Sequence, residues 1–374
     1  LTNTYAGAKV DNTSSLQLLT VYACVRFICD GISTLPVHAY KDTTKGTELA
    51  SAPRWLAQPT VDLDWIAWCT QVLTSLLLDG NAYCWVRRDP VGEIAELVPL
   101  DPGQVKVTRE AGRRTYRVAG TLVSAYDIWH VSGVMFPGAD VGLSPVEAGR
   151  QAIGAGMAAE EFAARFFGQG ATTAGVIESD NEVTPDQARD MARQFSRLHG
   201  GKNKAHLPAV LPAKATWRAT GVTNEQAQFL QTRQFSAATI ASLMFQIDPS
   251  ELGLSIGSSS GTLTYSNLEQ RNVHKVQTTF LPWLVRLETA LSALIRQQNR
   301  YIKINVNGLL RGDLKTRYES YSIGIASKFL LPNEARELED MPPIDGGDKF
   351  AEPPAPAKAD AAADQPTGAD SEPQ

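Results

Sequence analysis

The sequence predicts an α+β fold: a β-rich lobe with two helices, long helices flanking a small α/β insert, one long kinked helix and a terminal helical pair. Three observations predict it. Residues 82–88, 94–99, 105–109, 116–119 and 128–131 are short alternating runs separated by turn residues, the period of half-buried strands. Ser144 and Thr223 each open a long helical pattern with capping residues. Val273, Val276, Phe280, Leu284, Leu287, Leu291 and Leu294 step by three and four, which makes one apolar stripe along a helix.

Taken in order, residues 21–33 have helical spacing, and residues 35–41 become extended after the Thr34-Leu35-Pro36 break. Residues 65–78 form a second helix, closed by the turn Asp79-Gly80-Asn81. Asp101-Pro102-Gly103 is a turn between two strands, because Pro presets φ and Gly tolerates a positive one. Ser144, Pro145 and Glu147 are an N-cap, a first-turn proline and a capping-box acid. The helix they open runs to Phe167, and ten of its twenty-three residues are Ala or Gly. Interior glycines such as Gly154 and Gly156 each cost about 0.5–1 kcal/mol relative to Ala, so close packing against a neighbour must offset them.

The insert is expected to hold a strand at 175–178, a helix opened by Thr184-Pro185-Asp186-Gln187 and ended at Gly200-Gly201, and strands at 207–211 and 215–220. Thr223 with Gln226 then starts a helix that stops at Asp248-Pro249. Pro282 lies inside the apolar stripe, removes a backbone donor and crowds the preceding turn, so a kink is expected near Leu281. A strand at 301–306 and helices at 313–326 and 332–340 follow. Residues 351–374 hold eight Ala, five Pro, five acids and one base, a composition that predicts disorder.

Composition narrows the function classes. The 374 residues carry 35 Lys plus Arg and 40 Asp plus Glu, a net charge of −5. The tail accounts for −4 of it, leaving the body near neutral, which argues against a surface that grips nucleic acid through strong positive charge. Cys24, Cys29, Cys69 and Cys84 form no CxxC pair and are expected as small buried hydrophobes in a reducing compartment. His38, His130, His199, His206 and His274 match no metal-binding spacing, so neither a metal nor a cofactor is expected. No apolar run is long enough to span a membrane, and the first residues do not resemble a signal peptide. The tryptophans Trp55, Trp65, Trp68, Trp85, Trp129, Trp217 and Trp283 are expected to anchor core or interface.

Two motifs imitate catalytic ones. Gly257-Ser258-Ser259-Ser260-Gly261 matches G-x-S-x-G, but a nucleophile elbow needs a preceding strand, and here a helix precedes a low-complexity run. Gly200-Gly201-Lys202-Asn203-Lys204 lacks the spacing of a phosphate loop and ends a helix where such a loop opens one. No enzyme activity is expected. Arg197, Lys202, Lys204 and His206 remain candidate contacts for DNA or an acidic partner, beside the commoner alternative of a solvated basic turn.

The segments VYACVRFICDGISTLPVHAYK, LLLDGNAYCWVRRD with ELVPLDPGQV, DIWHVSG with GLSPVEAGRQAIG, TYSNLEQRNVHKVQTTFLPWLVRLETAL and LPNEARELEDMPPIDGGD occur in this order. Together they resemble portal proteins of tailed double-stranded DNA bacteriophages, over about residues 16–350. Leu331 departs from the pattern, standing where the family often has a small polar cap. The resemblance implies a ring, usually of twelve subunits, at one capsid vertex of the virion, assembled in the host cytoplasm. Its partners would be other copies of the chain, double-stranded DNA in the channel, the terminase large subunit, the head-tail connector or adaptor and the major capsid protein, with no membrane.

It further implies a division into a wing (1–143), a first stem helix (144–170), a clip (171–222), a second stem helix (223–248), a tunnel loop with kinked helix and wing return (249–312), crown helices (313–350) and the tail (351–374). On that reading Ser255, Ile256, Gly257, Ser258, Ser259, Ser260, Gly261, Thr262, Leu263 and Thr264 form the tunnel loop in the DNA channel. Arg197, Lys202, Lys204 and His206 become clip contacts, and Pro282 marks the helix kink. The rival reading from another class is a structural or adhesive assembly protein that forms no DNA conduit.

Overall fold

The computed structural model describes residues 4–44, 46–168, 175–179, 184–190, 193, 215–219, 233–254, 265–297, 299–306, 314–339 and 341–350. The chain divides into two compact units, Leu1–Leu310 and Arg311–Gln374.

The core of the first unit is built on two helices. After a single turn α1 (Asn12–Ser15), α2 (Leu19–Ser33) buries Val21, Cys24, Val25, Ile28, Cys29 and Ile32, one face of a 3.6-residue period. Beyond the short α3 (Arg54–Ala57), α4 (Trp65–Asp79) starts where the Asp64 carboxylate accepts from the Ala67 N–H at 2.8 Å. It buries Trp68, Cys69, Val72, Leu73, Leu76 and Leu77 against α2 and ends at Gly80 in the left-handed conformation, φ 78°. All four cysteines are free and buried, Cys24 and Cys29 on α2, Cys69 on α4 and Cys84 on the strand that follows Gly80. Burial pushes the Cys24 thiol up to about 12 and the Cys29 thiol up to about 11, and raises Cys69 and Cys84 as well, so the thiols stay protonated.

Three antiparallel three-stranded sheets follow, two contributing to this core and one packing on a separate cluster of Tyr83, Tyr116, Val118, Val123 and Ile128. In one, β3 (Asn81–Arg88) lies between β4 (Ile94–Leu100) and β8 (Ile128–Ser132). In the second, β5 (Val105–Glu110), β6 (Arg113–Val118) and β7 (Thr121–Val123) form a meander. In the third, β1 (Val37–Thr43) pairs with β2 (Gly46–Ala50) and with β11 (Arg300–Ile304) from far along the chain. Tryptophans join the layers: Trp68 Nε1 donates to the Leu97 carbonyl and Trp129 Nε1 to the Ala290 carbonyl, both at 2.8 Å. Trp129 lies 5.5 Å, centroid to centroid, from Trp68, which lies 5.5 Å from Trp65. Trp85 is 39% exposed on its strand.

The long helix α5 (Pro145–Gly168) begins as expected, with the Glu147 N–H donating to Ser144 Oγ at 3.1 Å. Its glycines meet parts of the same chain. A Cβ at Gly149 would stand 2.9 Å from Met244 Sδ, one at Gly156 3.0 Å from Leu18, and one at Gly154 would run into Thr4. Within the insert, β9 (Gly175–Ser179) pairs antiparallel with β10 (Ala215–Ala219). Thr184 and Gln187 exchange the two bonds of a capping box, at 3.0 and 3.4 Å. The expected helix end at 200–201 and strand at 207–211 lie outside the described residues.

Residues 233–239 are helical and widen into a π-helical turn, Ile240–Met244. The stripe-bearing helix has three parts: α6 (Tyr265–Lys275), a second π turn (Val276–Phe280) and α7 (Leu281–Ser292). Val276, Phe280, Leu284, Leu287 and Leu291 of the stripe are buried. In the second unit, α8 (Leu314–Ala326) and α9 (Pro332–Glu337) are joined through Glu339, which accepts from Arg317 and from Tyr321 Oη, each at 2.8 Å. Leu331 has no side chain to cap α9, and Glu334 reaches back to its N–H at 2.8 Å. Asn333 then ties down the following loop, bonding the Ile344 carbonyl and N–H, the Gly347 carbonyl and Asp348.

Candidate functional site

Of the residues singled out from sequence, Ser255, Ile256, Gly257, Ser258, Ser259, Ser260, Gly261, Thr262, Leu263 and Thr264 lie outside the described residues. Arg197, Lys202, Lys204 and His206 lie outside them too. Pro282 is described: it is exposed, in the first turn of α7, directly after the π turn. The widened turn has a local cause. A proline ring crowds the carbonyl four residues back, here that of Thr278, and cannot donate to it. A π turn moves that carbonyl aside, and the Leu281 N–H bonds five residues back to Val276.

On both sides of 255–264 the chain is fastened by a small charged cluster. Asp248 accepts from the Ser250 N–H at 2.9 Å and from its hydroxyl at 2.7 Å, and these bonds hold the Asp248 carboxyl below its ordinary range. They set up the short 3₁₀ turn Pro249–Leu252, which ends at Gly253 with φ 71°. Glu251 on this turn accepts from Arg271 at 3.2 Å and from Lys275 at 2.7 Å, two cations one helical turn apart on α6. Arg271 also donates to Ser250 Oγ at 2.7 Å. Behind them, Thr279 Oγ1 donates to the Gln246 carbonyl at 2.6 Å, and Gln246 sits at φ 54°, a strained conformation for a residue with a side chain. With Glu251 only 16% exposed, the two cations are paired in a partly shielded place.

A second polar cluster sets where α5 begins. Asn81 is 4% exposed; its Oδ1 accepts from the Gly142 N–H at 2.6 Å and its Nδ2 donates to the Gly142 carbonyl at 3.0 Å. Nδ2 also reaches the Asp79 carbonyl at 3.2 Å. Because Oδ1 is an acceptor, the His130 Nε2 that faces it at 3.2 Å carries the proton, and Nδ1 is free to accept from Tyr116 Oη at 3.3 Å. Burial, with Arg114 nearby, lowers His130 to about 4, so the ring is neutral. Tyr83 stacks on it at 4.4 Å. Backbone crosses backbone at the same place: Gly133 N–H donates to the Gly80 carbonyl at 2.8 Å, and a Cβ on Gly80 or Gly142 would collide with Leu143 or Gly80 backbone. Ser144, the α5 cap, donates its hydroxyl to the Leu78 carbonyl at 2.8 Å.

Sequence reasoning missed both clusters. The signal for the first was Glu251 in a capped turn ahead of Arg271 and Lys275 at i, i+4 spacing. For the second it was a buried-side Asn following a helix-ending glycine, which reads equally well as a plain turn. Among the described residues no group of His, Cys, Asp or Glu is placed to hold a metal. None of the described helices is long and apolar enough to cross a membrane.

This arrangement of sheets and helices is shared with chains of phage and phage-like particles. A chain in the neck of an empty gene transfer agent particle has the same fold at a TM-score of 0.64 and 20% identity, covering 89% of this chain and 94% of that one. The crystal structure of an HK97 family phage portal protein from Corynebacterium diphtheriae gives a TM-score of 0.56 at 12% identity, covering 80% and 96%. In sequence, the chain is 30% identical over 372 residues to the probable portal protein of Streptomyces phage phiC31, covering 93% of this chain and 80% of that protein. It is 27% identical over 356 residues to the portal protein of Enterobacteria phage HK97, covering 91% and 82%. Residues 19–340 match the phage portal protein family, and the chain belongs to that family.

Proposed function

We propose that this chain forms a ring, of twelve copies, at one capsid vertex, through which double-stranded DNA passes during packaging and ejection. The observation that carries the proposal is the family match across residues 19–340, which takes in elements from both compact units. It favours the conduit over the adhesive assembly protein. The ring docks the terminase large subunit and the head-tail connector, contacts the major capsid protein, and assembles in the host cytoplasm before it is held in the virion. It works without a cofactor and without catalysis of its own.

In this reading 1–143 is the wing, 144–170 and 223–248 the stem, 171–222 the clip, 249–312 the tunnel loop, kinked helix and wing return, and 313–350 the crown, followed by the acidic tail. A conduit must not hold the duplex, since each neutralised phosphate releases counterions and adds sequence-independent affinity. The near-neutral body and the pairing of Arg271 and Lys275 with Glu251 support that requirement. Ser255 to Thr264 would brush the DNA, with Ile256 and Leu263 supplying weak shape contacts, and Pro282 would angle the helix behind them.

The test is genome packaging in particles carrying Ile256→Gly with Leu263→Gly. Rings of normal size with impaired packaging are expected; normal packaging would remove this segment from the mechanism. Charge reversal at Lys202 and Lys204 should weaken capture of terminase, connector or DNA, and unchanged capture of all three would return Arg197, Lys202, Lys204 and His206 to ordinary surface.

A further inference from the structure

Two π turns pack against α2, and they are not equivalent. Ile240–Met244 is fixed: Ile240, Ala241, Phe245 and Ile247 are all buried, and the Ile247 N–H returns to the Ala241 carbonyl at 2.9 Å. Val276–Phe280 joins α7 to α6. On its far side α7 is anchored by Leu284, Leu287 and Leu291, each no more than 1% exposed. On its near side, none of the α6 side chains from Gln270 to Lys275 is fully buried. Among the described residues, polar bonds hold α6 in register: Thr279 to the Gln246 carbonyl, and Arg271 and Lys275 to Ser250 and Glu251.

We infer that the second π turn is a register device: its relaxation to α-helix turns α6 about the fixed α7 and releases Arg271 and Lys275 from Glu251. A π turn carries one extra residue, and absorbing it rotates the adjoining helix by roughly 100° and shifts it about 1.5 Å. Arg271 and Lys275 share one face of α6, so both leave Glu251 together. The engaged register presents balanced charge, and the released register presents two free cations to a polyanion. The Pro282 ring, which would crowd the Thr278 carbonyl in a regular α-helix, biases the turn toward the engaged register, and the Thr279 bond to the Gln246 carbonyl latches it. The inference rests on the portal reading for its ligand, double-stranded DNA, and on the geometry alone for the movement.

The test uses the full chain in its assembled form with Thr279→Val and Pro282→Ala combined. The first change removes the latch with little change of shape, and the second, at an exposed site, restores the missing N–H. Electron cryomicroscopy reads the register of α6, and duplex binding across a salt series reads the charge. We expect the π turn to become α-helical, α6 to shift by one residue, and the log–log salt slope to steepen by about 1.8 for each subunit whose two released cations reach phosphates, and so by at least about 1.8 for the assembly. Adding Arg271→Gln and Lys275→Gln should remove the steepening. An unshifted register, or a shifted one with an unchanged salt slope, overturns the inference; should the double variant fail to assemble, Pro282→Ala alone is read by the same criteria. A ring whose hole cannot admit a duplex would count against the portal reading instead, while the map would still decide whether α6 had moved.

Discussion

The Phe280 ring rests on the bare backbone of Gly31: a Cβ built at Gly31 would stand 2.5 Å from Phe280 Cζ. Phe280 closes the second π turn and Gly31 lies in α2, so an interior helix glycine that costs up to about 1 kcal/mol in propensity is what lets the widened turn seat on the core. Phe27 lines the same place, its ring centroid 5.7 Å from that of Phe280.

Gly31→Ala should therefore destabilise the chain by about 1–3 kcal/mol, the range for overpacking, despite the better helix former. Urea unfolding of Gly31→Ala alone and with Phe280→Leu checks this. Partial recovery in the double variant is expected, and a single variant as stable as the parent would mean that the ring can move away freely.

Asn81→Ala should cost about 3 kcal/mol or more, because it strands both backbone groups of Gly142 and the His130 N–H away from water. Asn81→Asp should be nearly as damaging, since a carboxylate cannot donate to the Gly142 carbonyl. Equilibrium unfolding reports the loss, and amide exchange at Gly142 and Leu143 should rise more than at residues of α2.

Acid should weaken this junction through His130. An unfolded histidine takes up its proton as the pH falls through 6.5, whereas the folded ring waits until about 4. The stability contributed by the neutral ring is thus complete above pH 6.5 and is lost as the pH falls toward 4, by about 3 kcal/mol at most. Asp79, whose carboxyl is raised by burial, acts in the opposite direction, so the comparison must be made between variants. His130→Gln should flatten the fall in stability between pH 6.5 and 4, and an identical slope in both proteins would place the acid sensitivity elsewhere.

The four thiols should react slowly with an alkylating reagent at pH 8 in the folded chain and rapidly after unfolding, because burial holds Cys24 at about 12 and Cys29 at about 11 and raises the other two. Mass spectrometry of the labelled chain counts them. Prompt labelling of the native protein would show that the α2–α4 core opens readily.

Much of the fold is legible in local sequence because it is specified locally. Ser144, Pro145 and Glu147 announce α5, Thr184 and Gln187 announce a helix start, and the stripe from Val276 to Leu291 appears as a buried face. β2 escaped notice because its residues, GTELA, are largely exposed and leave no alternation to read. The polar clusters were illegible for a different reason. Asn81 acts on Gly142, sixty-one positions away, and Glu251 on Arg271, twenty positions away, so their meaning exists only after the chain has folded. Pro282 signals a break in the helix, but where the widened turn seats, with Phe280 against Gly31 two hundred and forty-nine positions away, is not written locally. The glycines of α5, read as a close-packing surface, turn out to face Thr4, Leu18 and Met244 of their own chain.

The most direct test of the account is an electron image of the assembly taken from native particles, with a mass measurement that counts its subunits. A closed ring of twelve copies, with an axial hole wide enough for a B-form duplex, is the predicted result. Single molecules, open filaments, or a ring too narrow for a duplex would contradict it.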